Sequence, residues 1–143
     1  MLSAVPTKAL IAELGIGDRV MWLPKMNRKE ILGLLSHCDA GVGQFGVDPG
    51  MIWGGTGWEV LAAGRPLLQT VNFTDEDFRR TFGCELPPIL DVRNPEDVAR
   101  HLEEMVLRRE KFADIGRRSQ DWINAHNGIG LARKWLDLIH ESR

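Results

Sequence analysis

The sequence predicts one α/β domain over residues 1–143, with a small, mainly parallel sheet. Two observations predict it. Short apolar segments of strand character alternate with segments of helical periodicity, and this alternation implies parallel strands joined by helical crossovers. No internal repeat, low-complexity tract or shift in composition marks a second domain. We therefore expect about four strands in one sheet, with extra helices at the C-terminal end.

Four segments have strand character because they are rich in β-branched, aromatic or other apolar residues between Gly and Pro. They are RVMWL at 19–23, AGVGQF at 40–45, PLLQTV at 66–71 and PILDV at 88–92. The second is the weakest candidate, since glycine lowers strand propensity.

The predicted helices have recognisable starts and stops. The first contains Leu10 and ends at Gly15 or Gly17, and the second begins at Asn27 with Glu30 in position for a capping box. Asn94 caps a later helix whose first residue is proline. The remaining helices are expected from Thr56, over 75–82, around 111–123 and from about 128 to 140.

Apolar spacing within these elements predicts which large side chains are buried. Trp22, Trp122 and Trp135 fit apolar faces, so we expect all three in the core. Cys38 and Cys84 are too few and too widely spaced for a disulfide framework or a CxxC site. Both are expected as reduced thiols in or near the core.

Composition excludes several classes of function. The chain is 43% hydrophobic and 27% charged, with a formal net charge of -2. Acidic and basic residues are interleaved, so no broad positive field is available for nucleic acid or for an anionic membrane. No stretch approaches the roughly 20 apolar residues of a membrane span, and Pro6 and Lys8 interrupt the run that a secretory signal needs. We expect a cytoplasmic protein without an integral membrane segment.

The histidines show no metal-ligand spacing, so no metal site is expected. They are His37, His101, His126 and His140. His37, near the end of the second helix, is expected to contact the negative end of the helix dipole, and Arg65 is expected to serve a helix C-terminus in the same way.

The stretch GGTGWEVLAAGRP at 54–66 is the strongest candidate for chemistry. It follows the second predicted strand, and ligands of parallel sheets collect at the carboxyl ends of strands. Gly54, Gly55 and Gly57, with Thr56, place helix-start amides where they can meet a diphosphate. Glu59, one turn into the helix, is able to accept two hydroxyl donors from a ribose.

Alternatives remain for each of these residues. Thr56 and Glu59 have the T-x-x-E spacing of a capping box, in which the Glu merely returns to backbone. Trp53 before the glycines is a candidate for stacking on a base or sugar. Asp48 is a candidate for a sugar contact, although Asp48-Pro49 is also an ordinary turn dipeptide.

The segments LGIGDRVMWLP, EILGLLSHCDAGVGQF and GTGWEVLAAGRPLL, in this order, resemble the C-terminal, nucleotide-sugar-binding half of a GT-B glycosyltransferase of the retaining family 4. The resemblance covers roughly Leu10 to Val71. It implies a Rossmann-like three-layer sandwich and a nucleotide-diphospho-sugar as ligand. It also implies that Glu59 is the second glutamate of the E-x7-E motif, which contacts the ribose, and that the amides of 55–57 face the diphosphate.

The chain departs from this family in two ways. The first glutamate of the motif falls on Met51, and the family's diphosphate-binding Arg and Lys lie upstream of anything present. We therefore expect no catalytic residues and no turnover by this chain alone. The strand at 19–23 also loses its usual neighbour, which leaves an unpaired sheet edge.

That edge must be covered by rearranged pairing, by a homodimer, or by a partner that carries the N-terminal domain. A competing hypothesis follows, in which the chain is a non-enzymatic interaction module that oligomerises through its sheet edge and Glu59 is only a cap.

Overall fold

The computed structural model describes residues 4–46 and 54–141. Seven α-helices and three β-strands lie in this part of the chain. The helices are α1 (Ala4–Glu13), α2 (Arg28–Leu35), α3 (Gly55–Ala62), α4 (Asp75–Phe82), α5 (Pro95–Leu107), α6 (Arg109–His126) and α7 (Ile129–Glu141); the strands are β1 (Gly41–Val42), β2 (Leu67–Gln69) and β3 (Ile89–Asp91). The chain is thus an α/β protein, as its alternating pattern predicts.

The three strands form one parallel sheet in the order β1-β2-β3. Gly41 pairs with Leu67, and Leu67 pairs with Ile89, so side chains in register share one face of the sheet. Three of the predicted strands are therefore confirmed, in shortened form. With helices on both faces, the arrangement is compatible with a Rossmann-like sandwich.

The prediction of a strand over 19–23 is wrong, and the sheet has three strands rather than four. A short 3-10 helix occupies Gly17–Arg19 instead, and the following residues have no regular structure. A strand is defined by hydrogen bonds to a neighbour, and no described residue pairs with this segment. The β-branched and aromatic composition of RVMWL therefore has no ladder to stabilise it.

Local capping signals fix the helix starts as predicted. Asn27 accepts a hydrogen bond from the Glu30 N–H at 3.1 Å while the Glu30 carboxylate accepts from the Asn27 N–H at 2.7 Å, which is a complete capping box. Asn94 accepts from the Asp97 N–H at 2.9 Å at the start of α5. Gly83 ends α4 with φ 68°, a left-handed conformation that favours glycine.

Two apolar clusters lie on opposite faces of the sheet. The first contains Val60, Leu61, Leu67, Phe78, Trp122 and Ile123. The second contains Leu68, Val92, Met105 and Phe112. Helix α6 contributes to both clusters, because Phe112 lies near its start and Trp122 near its end. A single long helix therefore holds the two faces together.

Every buried residue that the structure describes lies between Gly41 and Ile123. Trp122 is buried as expected, but Trp22 is 53% exposed and Trp135 is 60% exposed, so their predicted burial is wrong. Their apolar faces exist, yet nothing in the described chain covers them. Cys38 and Cys84 are half-buried free thiols, as expected for residues near the core.

No helix in the described residues is both long enough and apolar enough to cross a lipid bilayer.

Candidate functional site

Helices α3, α4 and α5 each follow a strand of a parallel sheet, so their N-termini lie toward the carboxyl edge of that sheet. Two of the three starts are capped by side chains, Thr74 for α4 and Asn94 for α5, and both helices carry acidic residues in their first turn. The start of α3 differs. Its N-cap is Gly54, without a side-chain cap, and no acidic residue lies in its first turn.

The electrostatic environment of the α3 start differs from that of the α5 start. The Asp97 carboxylate in the first turn of α5 accepts from the Arg100 side chain at 2.7 Å and from the Arg93 N–H at 2.9 Å. These hydrogen bonds lower the pKa of Asp97, the Arg100 contact most strongly. An anion of the protein itself therefore complements the positive end of α5, whereas the first turn of α3 offers none.

The glycines at the start of α3 leave space for a ligand. A Cβ atom at Gly55 would meet no heavy atom of the described residues within 4 Å, whereas one at Gly54 would lie 3.1 Å from the side chain of Gln44. Gly57 is buried, and its N–H donates to the Gly54 carbonyl at 3.0 Å. The N–H groups of Gly55 and Thr56, at the first two helical positions, are therefore the donors that helix geometry directs outward.

The capping-box alternative for Thr56 and Glu59 is not formed. Gly54 is the N-cap, so Thr56 lies at the second position inside the helix and is two residues too late to cap it. Glu59 is thereby released from the capping role. Its side chain is 17% exposed, and its Oε1 lies 3.6 Å from Nε of Arg28.

Arg28 is the residue that sequence reasoning missed. It is the first residue of α2, held there by the capping box between Asn27 and Glu30. Its side chain is 73% exposed, so it retains freedom to move toward an anion near the start of α3. The capping signal predicts where α2 begins, but the packing of α2 against α3 brings Arg28 to Glu59, and no local pattern reports that packing.

Two predicted ligand residues, Asp48 and Trp53, lie outside the described residues, as does Met51. Trp58, in the first cluster's surroundings, is half-buried and stacks on Trp122 with ring centroids 6.0 Å apart. That position makes Trp58 a packing residue. The described part of the predicted site is thus Gly54, Gly55, Thr56, Gly57 and Glu59, joined by Arg28.

The neighbouring strand ends are occupied by internal hydrogen bonds. Thr70 Oγ1 donates to the Val92 carbonyl at 2.7 Å and accepts from the Gly46 N–H at 3.1 Å. Asp91 Oδ1 accepts from the Val71 N–H at 2.8 Å. These hydrogen bonds link residues at or after the ends of β1, β2 and β3 to one another.

Two sequence expectations about helix C-termini are confirmed. Nδ1 of His37 lies 2.9 Å from the Gly33 carbonyl at the end of α2. Arg65 donates to the carbonyl of Ser36, the C-cap of that same helix. In the part of the chain that is described, no group of three or more His, Cys, Asp or Glu residues has the geometry of a metal site.

No family model, no curated protein and no solved structure matches the chain. The protein can therefore be described by two structural features. One is its fold, a small parallel α/β sandwich, and the other is the helix start without a side-chain cap at the carboxyl edge of its sheet.

Proposed function

We propose that the chain binds a nucleotide-diphospho-sugar and is related to the donor-binding half of glycosyltransferases. The observation that carries this proposal is the start of α3, a helix terminus without a side-chain cap and with Glu59 one turn further on. Within the described residues, a Cβ at Gly55 would meet no heavy atom within 4 Å. A helix N-terminus without its own acid favours a bound anion by its dipole and its unpaired amides.

The proposed binding mode assigns a task to each group. The N–H groups of Gly55 and Thr56 donate to phosphate oxygens. Glu59 accepts from the ribose hydroxyls through the oxygen that does not face Arg28, and Arg28 neutralises part of the diphosphate charge. Nε of Arg28 and Oε1 of Glu59 lie 3.6 Å apart, so the two groups are already next to each other at the proposed site.

Glycosyl transfer in this scheme requires a second domain that holds the acceptor. Catalysis depends on positioning the two substrates and on stabilising the departing diphosphate. Among the described residues, Arg28 is the cation paired with Glu59 at the site, and Met51 replaces the acid that the resembled family uses toward the sugar. We therefore propose binding without turnover for this chain alone.

Isothermal titration calorimetry with UDP, GDP and ADP, each free and as a sugar conjugate, tests the proposal. We expect binding by at least one of them, weakened about tenfold by Glu59→Gln because a charged acceptor of two hydroxyl donors is lost. Arg28→Gln is expected to weaken binding about threefold to tenfold. Lys29→Gln, which changes the neighbouring exposed cation, is the matched control and should bind like the wild type.

Absence of binding at millimolar concentration for the whole set would contradict the proposal. Equal binding by wild type and Glu59→Gln would contradict the role of Glu59 while leaving an anion site at the helix start. Gly55→Asp separates these results, since a carboxylate in the open space at Gly55 competes with the phosphate and abolishes binding through that terminus.

A second candidate, an interaction module that pairs through its sheet edge, is favoured by β1. This strand hydrogen-bonds only to β2 among the described residues, and Val42 on it is 52% exposed. The N–H groups of Gly41 and Gly43 donate to the carbonyls of Pro66 and Leu68 on the β2 side. Because successive residues of a strand direct their backbone groups to opposite sides, the N–H and C=O of Val42 lie on the outer edge of the sheet.

The mass in solution by light scattering tests this candidate. A dimer that Val42→Lys converts to a monomer would support it, because a charged residue on an edge strand blocks pairing. Val106→Lys, which makes the same change at an exposed valine on α5, is the control. A monomeric wild type would contradict pairing between copies.

A further inference from the structure

Helix α7 divides into two complete faces. At about 100° per residue, seven apolar residues of the helix fall on one continuous arc of about 180° with no polar residue between them. They are Ile129, Leu131, Ala132, Trp135, Leu136, Leu138 and Ile139. The six remaining residues form the opposite arc. Such complete segregation over 13 residues is typical of a helix that lies at a boundary between water and an apolar phase.

The apolar arc of α7 is exposed in the described part of the chain. Trp135 is 60% exposed, Leu138 57% and Ile129 68%, and α7 contains no buried residue. Gly130, near the middle of the opposite arc, lies close to the end of α6: a Cβ there would lie 1.9 Å from the carbonyl oxygen of Ala125. The large apolar side chains of the arc are all exposed, from 36% at Leu131 to 68% at Ile129.

The charges of α7 are ordered around this arc. Arg133 and His140 border it on one side and Lys134 borders it on the other, whereas Asp137 and Glu141 lie toward the middle of the polar arc. Cationic side chains at the borders of an apolar face reach up to anionic head groups while their alkyl stems follow the apolar surface. The acids point away from that surface.

This order of charges distinguishes two surfaces that could pack against the apolar arc, a second copy of α7 and an anionic lipid surface. A second copy of α7 packed face to face would bring basic border residues, Arg133 and Lys134, beside basic border residues of its partner, which is unfavourable. An arc of about 180° is also wider than the narrow seam of paired helices. An anionic lipid surface can cover the whole width of the apolar arc, and its negative head groups can pair with the basic residues that border the arc.

We propose that α7 is an interfacial membrane-binding helix that lies in the plane of an anionic lipid surface, with Trp135 and Leu138 inserted among the acyl chains near the head groups. Helix α7 is about 20 Å long at 1.5 Å per residue, and such helices insert by about 5–10 Å. The helix does not cross the bilayer. This inference is independent of nucleotide binding, since α7 and the start of α3 share no residue.

Co-sedimentation with lipid vesicles tests the proposal. The vesicles are pure phosphatidylcholine and phosphatidylcholine with about one quarter phosphatidylglycerol. We expect the chain to sediment with the anionic vesicles, and the Trp135→Gln/Leu138→Gln double variant to bind at least about tenfold less. Arg133→Gln/Lys134→Gln should bind the anionic vesicles about tenfold less and lose the preference for them over neutral vesicles.

Matched controls separate α7 from other exposed apolar residues. Val106→Gln removes an apolar side chain that is 70% exposed on α5, and it should sediment like the wild type. Trp135→Phe should keep sedimentation but lose the lipid-induced blue shift of tryptophan fluorescence. Far-ultraviolet circular dichroism verifies that each variant is folded.

Three results would overturn the proposal. The first is no sedimentation of the folded wild type with anionic vesicles. The second is unchanged sedimentation of the Trp135→Gln/Leu138→Gln variant. The third is a lipid-free dimer that the same double variant converts to a monomer, because the cover of α7 would then be a second copy of the chain.

Discussion

The middle region of the chain, residues 40–126, and its two flanks, residues 6–36 and 129–141, contain similar apolar patterns and have opposite fates. In the middle region Phe78 is 2% exposed and Trp122 8%. On the flanks Met21 is 82% exposed, Trp22 53% and Trp135 60%. The comparison shows that an apolar face in the sequence predicts a packing surface, but it does not predict which other surface packs against it.

The difference arises from what each region packs against. Helices α3, α4, α5 and α6 enclose a sheet, whose two faces each need a layer of helices. The flanks contribute no strand to that sheet. Both therefore present apolar surface of the kind that marks interaction sites, and the α7 proposal supplies a cover for the C-terminal flank.

The largest expected effect compares two aromatic truncations. Phe78→Ala leaves a cavity beside Phe73, Phe82 and Trp122, so we expect a loss of about 3–5 kcal/mol in the free energy of unfolding. Trp22→Ala removes a larger side chain, but its described contact is Lys8 Nζ at 5.2 Å from the ring, and the loss should stay below about 1 kcal/mol. Urea denaturation of both variants measures the difference, and equal losses would contradict the division into regions.

The next effect compares two helical glycines. Gly116 in α6 is buried, and a Cβ there would lie 2.2 Å from the carbonyl oxygen of Gly64, so Gly116→Ala should destabilise by about 1–3 kcal/mol. Gly33 in α2 has open space, and Gly33→Ala should stabilise by about 0.5–1 kcal/mol through helix propensity. Thermal unfolding followed by circular dichroism should shift in opposite directions. Shifts of the same sign would mean that α2 is packed as tightly as α6.

A smaller effect is expected at the helix caps. Asn94→Ala removes the acceptor for the Asp97 N–H and should cost about 1 kcal/mol of unfolding free energy. Asn94→Asp is the control, because aspartate caps equally well. A loss in Asn94→Asp as large as that in Asn94→Ala would show that the amide, rather than the cap, is needed.

The smallest effect is a pH dependence confined to the surface of α5. Hydrogen bonds from Arg100 lower the pKa of Asp97, and the contact with Lys111 lowers the pKa of Glu104. A carboxyl whose pKa is lower in the folded state stabilises the fold above its unfolded pKa and loses that contribution as the pH falls through the folded value.

Stability should therefore decrease below about pH 4.5. Asp97→Asn and Glu104→Gln should flatten this decrease in thermal melts recorded across acidic pH. Asp75→Asn, on the surface of α4, serves as the control. If the Asp97→Asn/Glu104→Gln variant loses stability at acidic pH as steeply as the wild type, other carboxyl groups are responsible for that loss.

Local signals predicted the helix starts because their energetics are local. The Asn27–Glu30 capping box and the Asn94 cap each involve residues three apart, so the sequence contains both partners. The same spacing at Thr56 and Glu59 does not form a capping box, because the helix begins two residues earlier than a Thr56 cap requires. Where a helix begins depends on the loop that precedes it as well as on the capping motif.

By itself, the sequence determined the α/β class, the parallel strands at 67–69 and 89–91, and the glycine-rich helix start that follows β1, because alternation, capping and glycine act within a few residues of the chain. Only the tertiary structure decided that RVMWL stays unpaired, that Arg28 meets Glu59, and that Trp135 faces outward. Each of these depends on which distant surface is present to pair or pack, and that is settled by the assembled sheet and helices rather than by any short segment.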